Sequence, residues 1–209
     1  MKLEIIYEDK DFAAINKPAG VLFDWVIKEQ PNLIAVHRLD KDTSGVILFA
    51  KNQQTADYLK SLFQAHSIKK IYEALVVGNI KEKNGTIDLT IARSARTPLK
   101  RISIGKKRGV ERTASTKYKV FKRFGDYTLV EVCPLTGRTH QIRSHFSAIG
   151  HPVACDILYG GKNPKCPLGL SRQFLHAKNI EFTLQNGGRI KLEADLPDDL
   201  SAALAKLHK

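Results

Sequence analysis

The stretch that most constrains the fold is Ala35-Val36-His37-Arg38-Leu39-Asp40-Lys41-Asp42-Thr43-Ser44-Gly45, running straight into Val46-Ile47-Leu48-Phe49-Ala50. A polar knot passes without a spacer into an apolar run. Asp, Thr and Ser side chains bond neighbouring backbone groups and Gly relaxes the dihedrals, so the knot predicts a rigid turn. The apolar run has the length of a strand and predicts a buried one. A carboxylate on such a turn is held by the strand and still reachable from solvent. Taken alone, the stretch also fits a plain turn before a strand. A calcium loop is a further reading, because Asp40, Asp42, Ser44 and Gly45 take the first, third, fifth and sixth positions of that pattern. The twelfth position is Lys51 instead of Glu, which excludes it.

Around this centre the chain reads as short strands joined by turns. Residues 3–7 and 12–15 predict two strands, after which Asn16-Lys17-Pro18-Ala19-Gly20 breaks the pattern. Residues 55–63 predict an amphipathic helix with Ala56, Leu59, Leu62 and Phe63 on one stripe. Strands are predicted at 71–77, 86–91, 114–121 and 127–132, and the alternation over 99–104 predicts extended structure in a hairpin or loop. Thr139 is placed to cap a helix ending near Gly150. Two strands flank Asn186-Gly187-Gly188, and residues 200–207 predict a closing helix. Strands outnumber helices and are joined largely by turns. This predicts an α+β fold, a mixed and mainly antiparallel sheet with flanking helices.

Charge narrows the function. The chain of 209 residues carries a net charge of +13. Between Arg93 and Arg123 stand twelve Lys or Arg residues against one acid, Glu111. A basic segment of this density predicts a polyanionic partner, with a solvated basic face as the plainer alternative. The apolar runs are too short to cross a bilayer, and Met1-Lys2-Leu3-Glu4 opens no signal peptide, so no membrane partner and a cytoplasmic location are expected. The three cysteines, Cys133, Cys155 and Cys166, form no CxxC pair and are expected to be buried or incidental thiols, neither a disulfide framework nor a zinc site. No GxGxxG, GxxxxGK[ST] or HExxH pattern occurs. A single domain over 1–209 and a monomer are the default expectations.

His37-Arg38-Leu39-Asp40 with Thr43-Ser44-Gly45 resembles the active-site motif of the RluA/RsuA-type RNA pseudouridine synthases. Lys70-Ile71-Tyr72-Glu73-Ala74-Leu75-Val76-Val77-Gly78 resembles the family's second motif, and Leu135-Thr136-Gly137-Arg138-Thr139-His140-Gln141-Ile142-Arg143-Ser144-His145 its third. Lys17-Pro18-Ala19-Gly20 and Phe174-Leu175-His176-Ala177 resemble further signatures. Asp156-Ile157-Leu158-Tyr159-Gly160 resembles the loop after the third motif, with Cys155 where Gly is usual. The link at 25–33 is shorter than in many members, and with the resemblance starting near the first residues no S4 module of the kind some relatives add is expected.

The resemblance implies a catalytic fold with a long active-site cleft. It implies isomerisation of a uridine in structured ribosomal or transfer RNA, probing a stem-loop by shape, with no cofactor and no metal. The target base must be flipped out of its stack. By the same resemblance the catalytic residues are Asp40, Tyr72 and Arg143: Asp40 as the reacting carboxylate, Arg143 as its ion-pair partner, and Tyr72 stacking on the base. Substrate contacts are expected from Arg38, which enters the space the base leaves, and from Arg138 and His140 of the third motif. Arg101, Lys106, Lys107 and Arg108 of the basic segment are expected to grip phosphates. His37, beside Arg38, is expected chiefly to support the turn. Two alternatives stand beside this reading. A noncatalytic RNA-binding or assembly factor would need only the basic surface, and a metal-dependent nuclease would need clustered acids that are missing.

Overall fold

The protein is described from a computed structural model covering residues 3–207; Met1 and Lys2, the start of the segment expected not to be a leader, lie outside the described residues. In chain order the elements are β1 (Glu4–Glu8), β2 (Phe12–Lys17), α1 (Phe23–Glu29), β3 (Ile34–Ala35), β4 (Ser44–Ala50), α2 (Gln53–Gln64), β5 (Lys69–Val77), β6 (Asn84–Asp88) and β7 (Ile91–Ser94). Then follow β8 (Arg101–Ile102), β9 (Lys107–Arg112), β10 (Ser115–Phe124), β11 (Tyr127–Pro134), α3 (Gln141–Ala148), β12 (Leu175–Thr183), β13 (Arg189–Glu193) and α4 (Asp198–Lys206). The result is the α+β fold with a mixed, mainly antiparallel sheet that the alternating pattern predicts. Among the described residues no helix is long and apolar enough to cross a membrane.

The chain divides into two compact units, one running to Ile71 with His176–Leu196 added, the other Tyr72–Leu175 with the C-terminal residues from Pro197. In the first, the strands order as β1-β2-β4-β12, with β3 also on β4 and β13 on β12. Every residue of β4 is buried, as its unbroken apolar run predicts. β12 lies parallel to β4, with His176 beside Ser44 and Ala177 beside Gly45. Phe12, Ala14, Val46, Leu48, Leu59, Ile180 and Phe182 form its core. α2 starts earlier than the apolar stripe indicates because the Asn52 side chain accepts a hydrogen bond from the Thr55 amide at 2.8 Å and caps it.

The second unit carries the antiparallel order β5-β11-β10-β6 over a core of Val76, Val130, Val132 and Phe146. The single strand predicted over 86–91 is interrupted: β6 ends at Asp88, and β7 begins a separate three-stranded sheet of order β8-β7-β9. Thr139 does not cap α3. The N-cap is His140, in the left-handed region at φ 55° and with no side-chain cap. The turn before it is held instead by Gln141 Oε1, which accepts from the Arg138 amide at 2.9 Å and the Thr136 hydroxyl at 2.7 Å.

The reading of all three cysteines as thiols is corrected. Cys155 and Cys166 form a disulfide across Cα atoms 4.5 Å apart, and Cys133 stands outside that bridge. Their eleven-residue spacing carries no signature. The pairing depends on the loop folding back so that the Cys155 amide donates to the Lys165 carbonyl at 2.9 Å. Cys155 has φ 60°, the conformation that favours the glycine usual at this place.

Candidate active site

The turn of the first unit carries Arg38 and Asp40 on a backbone closed by the Thr43 amide donating to the Asp40 carbonyl at 3.2 Å. Asp40 is half-buried and Arg38 is exposed. Three polar devices hold this turn from behind.

The first is Lys17, whose side chain is fully buried. Its ammonium donates to the carbonyls of Pro18, Val21 and Lys41, each at 2.9 Å. A buried ammonium is tolerated only when its protons are taken up by acceptors. Lys17 thereby ties the chain next to Asp40 to the Pro18–Val21 segment. It was legible in the sequence as a Lys-Pro-x-Gly signature, but not as a strut.

The second is His37. Its Nε2 accepts the Leu48 amide at 2.9 Å, so the ring proton sits on Nδ1, and the ring stacks on Phe63 with centroids 4.5 Å apart. Burial first, and the positive charge of Lys70 second, push its pKa down to about 3. The imidazole is neutral at ordinary pH and joins the turn to β4.

The third is His176. Its Nε2–H donates to the Ala194 carbonyl at 3.1 Å, which leaves Nδ1 to accept the Ser44 hydroxyl at 3.0 Å. Beside it Gly45 has φ 113°, and a Cβ there would fall 2.2 Å from the Ala177 carbonyl oxygen. Only glycine fits where β12 comes this close.

In the second unit Tyr72 lies on β5 opposite Val132 of β11 and is half-buried. Arg143 projects from α3 and is buried. Its Nε donates to Asp156 Oδ2 at 2.7 Å and its Nη2 to Oδ1 at 3.0 Å, a bidentate pair with a fully buried carboxylate. Asp156 Oδ1 also accepts the amides of Leu158 and Tyr159, each at 3.0 Å. The guanidinium lies 5.1 Å from the centre of the Tyr159 ring. Arg143 is thus fixed in direction by a carboxylate that sequence reasoning assigned only to a loop. The signal for its role was present in the Asp156-Ile157-Leu158-Tyr159-Gly160 resemblance.

Tyr159 extends this network. Its hydroxyl donates to the Arg101 carbonyl at 2.7 Å and accepts the Arg101 amide at 2.9 Å, and His140 Nδ1 reaches it at 3.1 Å. His140 is therefore committed to a structural contact at that nitrogen. Of the other residues expected to hold substrate, Arg101, Arg108 and Arg138 line one groove of about 590 Å³. Lys106 and Lys107 do not line it. Lys107 donates to Glu111 Oε2 and to Thr90 Oγ1, each at 2.7 Å. Among the described residues no cluster of His, Cys, Asp or Glu could hold a metal ion.

The pattern for RNA pseudouridylate synthases matches residues 11–148. An uncharacterized RNA pseudouridine synthase of Chloroflexus aurantiacus is 39% identical over 204 residues, covering 93% of this chain and 62% of its own length. Ribosomal large subunit pseudouridine synthase D of Nitrosomonas europaea is 36% identical over 232 residues, covering 99% of this chain and 65% of its own. The chain therefore spans just under two thirds of these two curated relatives. Among solved structures, human RNA Pseudouridylate Synthase Domain Containing 1 superposes with a TM-score of 0.82 at 29% identity, over 97% of this chain and 87% of that one. By motif order, fold and similarity alike, the chain belongs to the RNA pseudouridylate synthase family.

Proposed function

We propose that the protein is an RNA pseudouridine synthase that converts a uridine of structured RNA to pseudouridine, with Asp40 as the reacting carboxylate. In that reaction the N1–C1′ bond of the nucleotide breaks and a C5–C1′ bond forms. The C5 proton leaves to solvent and N1 gains one, so the change is an isomerisation and consumes nothing. Asp40 acts at the sugar or base centre and Arg38 fills the gap left in the RNA; Arg143 and Tyr72 are the further residues assigned to the reaction, the one by its charge and the other by stacking on the uracil.

The observation that carries the reading is the construction of the Asp40 turn. A buried lysine, a neutral imidazole and a histidine–serine clamp all fix one short segment that exposes a carboxylate and an arginine. A catalytic group needs its geometry held by its surroundings, whereas a surface that only binds RNA has no use for three such struts. The names of the Nitrosomonas relative and its counterparts make large-subunit ribosomal RNA the first substrate to test.

The test uses ribosomal RNA transcribed with uridine tritiated at C5, since forming the C5–C1′ bond releases that tritium to water. Release by the wild type and none by Asp40→Asn, with RNA affinity retained, is the expected result. Equal release from both proteins removes Asp40 from the reaction. No release from the wild type on ribosomal or transfer RNA leaves a noncatalytic RNA-binding protein.

A further inference from the structure

The small sheet β8-β7-β9 carries an arrangement that a folded protein does not keep for its own stability. Arg93 at the centre of β7 stands directly opposite Arg101 on β8 and directly opposite Arg108 on β9. Residues in register across neighbouring strands point to the same face, so three guanidinium side chains form a row at right angles to the strands. Like charges placed directly opposite destabilise a sheet. Arg112, opposite Ile91, and Arg138, from the turn before α3, line the same groove.

The rest of the lining is Ile91, Ala92, Ser94, Pro98, Gly109, Val110, Gly137 and Thr139: it contains no carboxylate and no aromatic ring. Arg93, Arg108 and Arg112 are exposed, and among the described residues no carboxylate pairs with them. The segment's one acid, Glu111, is used up by Lys107 and Thr90. Neither Lys107 nor Glu111 lines the groove, so that neutralised pair stands outside its lining. Two of the arginines are held in place rather than loose. Arg101 is tied by its backbone to the Tyr159 hydroxyl, and Arg138 Nε donates to the Thr113 carbonyl at 3.2 Å.

The geometry points to a binding groove for the sugar–phosphate backbone of RNA, formed by Arg93, Arg101, Arg108, Arg112 and Arg138. Strands lie roughly 4.8 Å apart, so the row of three spans about 10 Å, enough to meet consecutive phosphates of one strand. Guanidinium groups are the side chains suited to bidentate phosphate contact. Without aromatic side chains the groove offers no stacking platform, and its guanidinium donors are suited to phosphate oxygens. Gripping backbone in this way is a role separate from the chemistry at Asp40. The choice of RNA as the polyanion rests on the pseudouridine synthase reading, while the existence of the groove does not.

The experiment compares Arg93→Gln/Arg108→Gln/Arg112→Gln with a control of equal charge loss, Lys117→Gln/Lys119→Gln/Lys122→Gln on β10. A labelled RNA stem-loop is titrated by anisotropy over a range of salt. The groove variant is expected to bind at least tenfold more weakly, with the slope of log K against log salt reduced by about two to three, as for three lost phosphate contacts. The control is expected to change affinity less than threefold. The single variant Arg108→Gln, at an exposed position, is expected to lower the slope by about one and serves if the triple variant does not fold. Equal losses in groove and control variants, or an unchanged slope in the groove variants, overturn the proposal. So does competition by inorganic phosphate at concentrations comparable with the RNA, which would mark a small-anion site. If the wild type releases no tritium from any RNA, the activity reading fails, and the binding measurements still decide the groove.

Discussion

The Asp40 turn and the arginine sheet treat their polar groups in opposite ways. Behind the turn, every device is a satisfied polar group: Lys17 on three carbonyls, His37 on an amide, Ser44 on His176. In the sheet, exposed Arg93 faces two other arginines, and among the described residues no carboxylate pairs with it. Arg143 and Arg93 make the same contrast within one unit, the former buried and bidentate on Asp156, the latter exposed in a like-charged row. The difference teaches where stability and function separate. Buried pairs hold geometry and cannot be altered without a large loss of stability, whereas exposed like charges cost a little stability and are explained by a ligand.

The contrast breaks first at Asp156. Asp156→Asn leaves a buried guanidinium without its carboxylate and should lower stability by about 3–5 kcal/mol, read by chemical denaturation. A loss below 1 kcal/mol would show that the pair is not what fixes Arg143. Lys17→Met should follow, at about 3 kcal/mol, because three carbonyls lose their donor. Its turnover should fall further than its RNA affinity, since the strut acts on the Asp40 turn and not on the groove.

Acidification sharpens the comparison further. His37 and His145 are both neutral in the folded protein. Burial lowers each pKa, aided for His37 by Lys70 and opposed for His145 by the Leu89 carbonyl and Asp88. The unfolded imidazole binds a proton below about 6.5, which the folded His37 declines until about 3. Its contribution is complete above 6.5 and is lost as pH falls towards 3. About 1–2 kcal/mol of stability should therefore be gone by pH 5, and His37→Gln should flatten that part of the profile. The smallest effect belongs to the arginine row. Arg93→Gln should leave the melting temperature unchanged or raise it slightly, a gain of about 0.5 kcal/mol from relieved repulsion. A clear loss would mean that the row serves the fold.

Much of this could be read along the chain, and the remainder depended on register. The buried strand β4, its turn and the mainly antiparallel sheet follow from local pattern, because an apolar run and a Gly-Ser-Thr-Asp knot act through near neighbours. The basic segment was visible as composition. Its division into Lys107, paired with Glu111, and the row of Arg93, Arg101 and Arg108 was not, because strand register decides which cations meet. The Cys155–Cys166 bridge and the Asp156 grip on Arg143 likewise arise from a loop whose return path leaves no local periodicity. Thr139 was the better cap by residue type, yet the Gln141 side chain holds the preceding turn and leaves His140 at the helix start.

The most direct measurement of the central claim is a map of pseudouridines in total RNA from cells carrying the wild-type gene, a deletion, or the deletion complemented by Asp40→Asn. The account predicts that the same one or few uridines lose their modification in the deletion and in the Asp40→Asn strain alike, and regain it only with the wild type. Restoration of those sites by Asp40→Asn protein would contradict it.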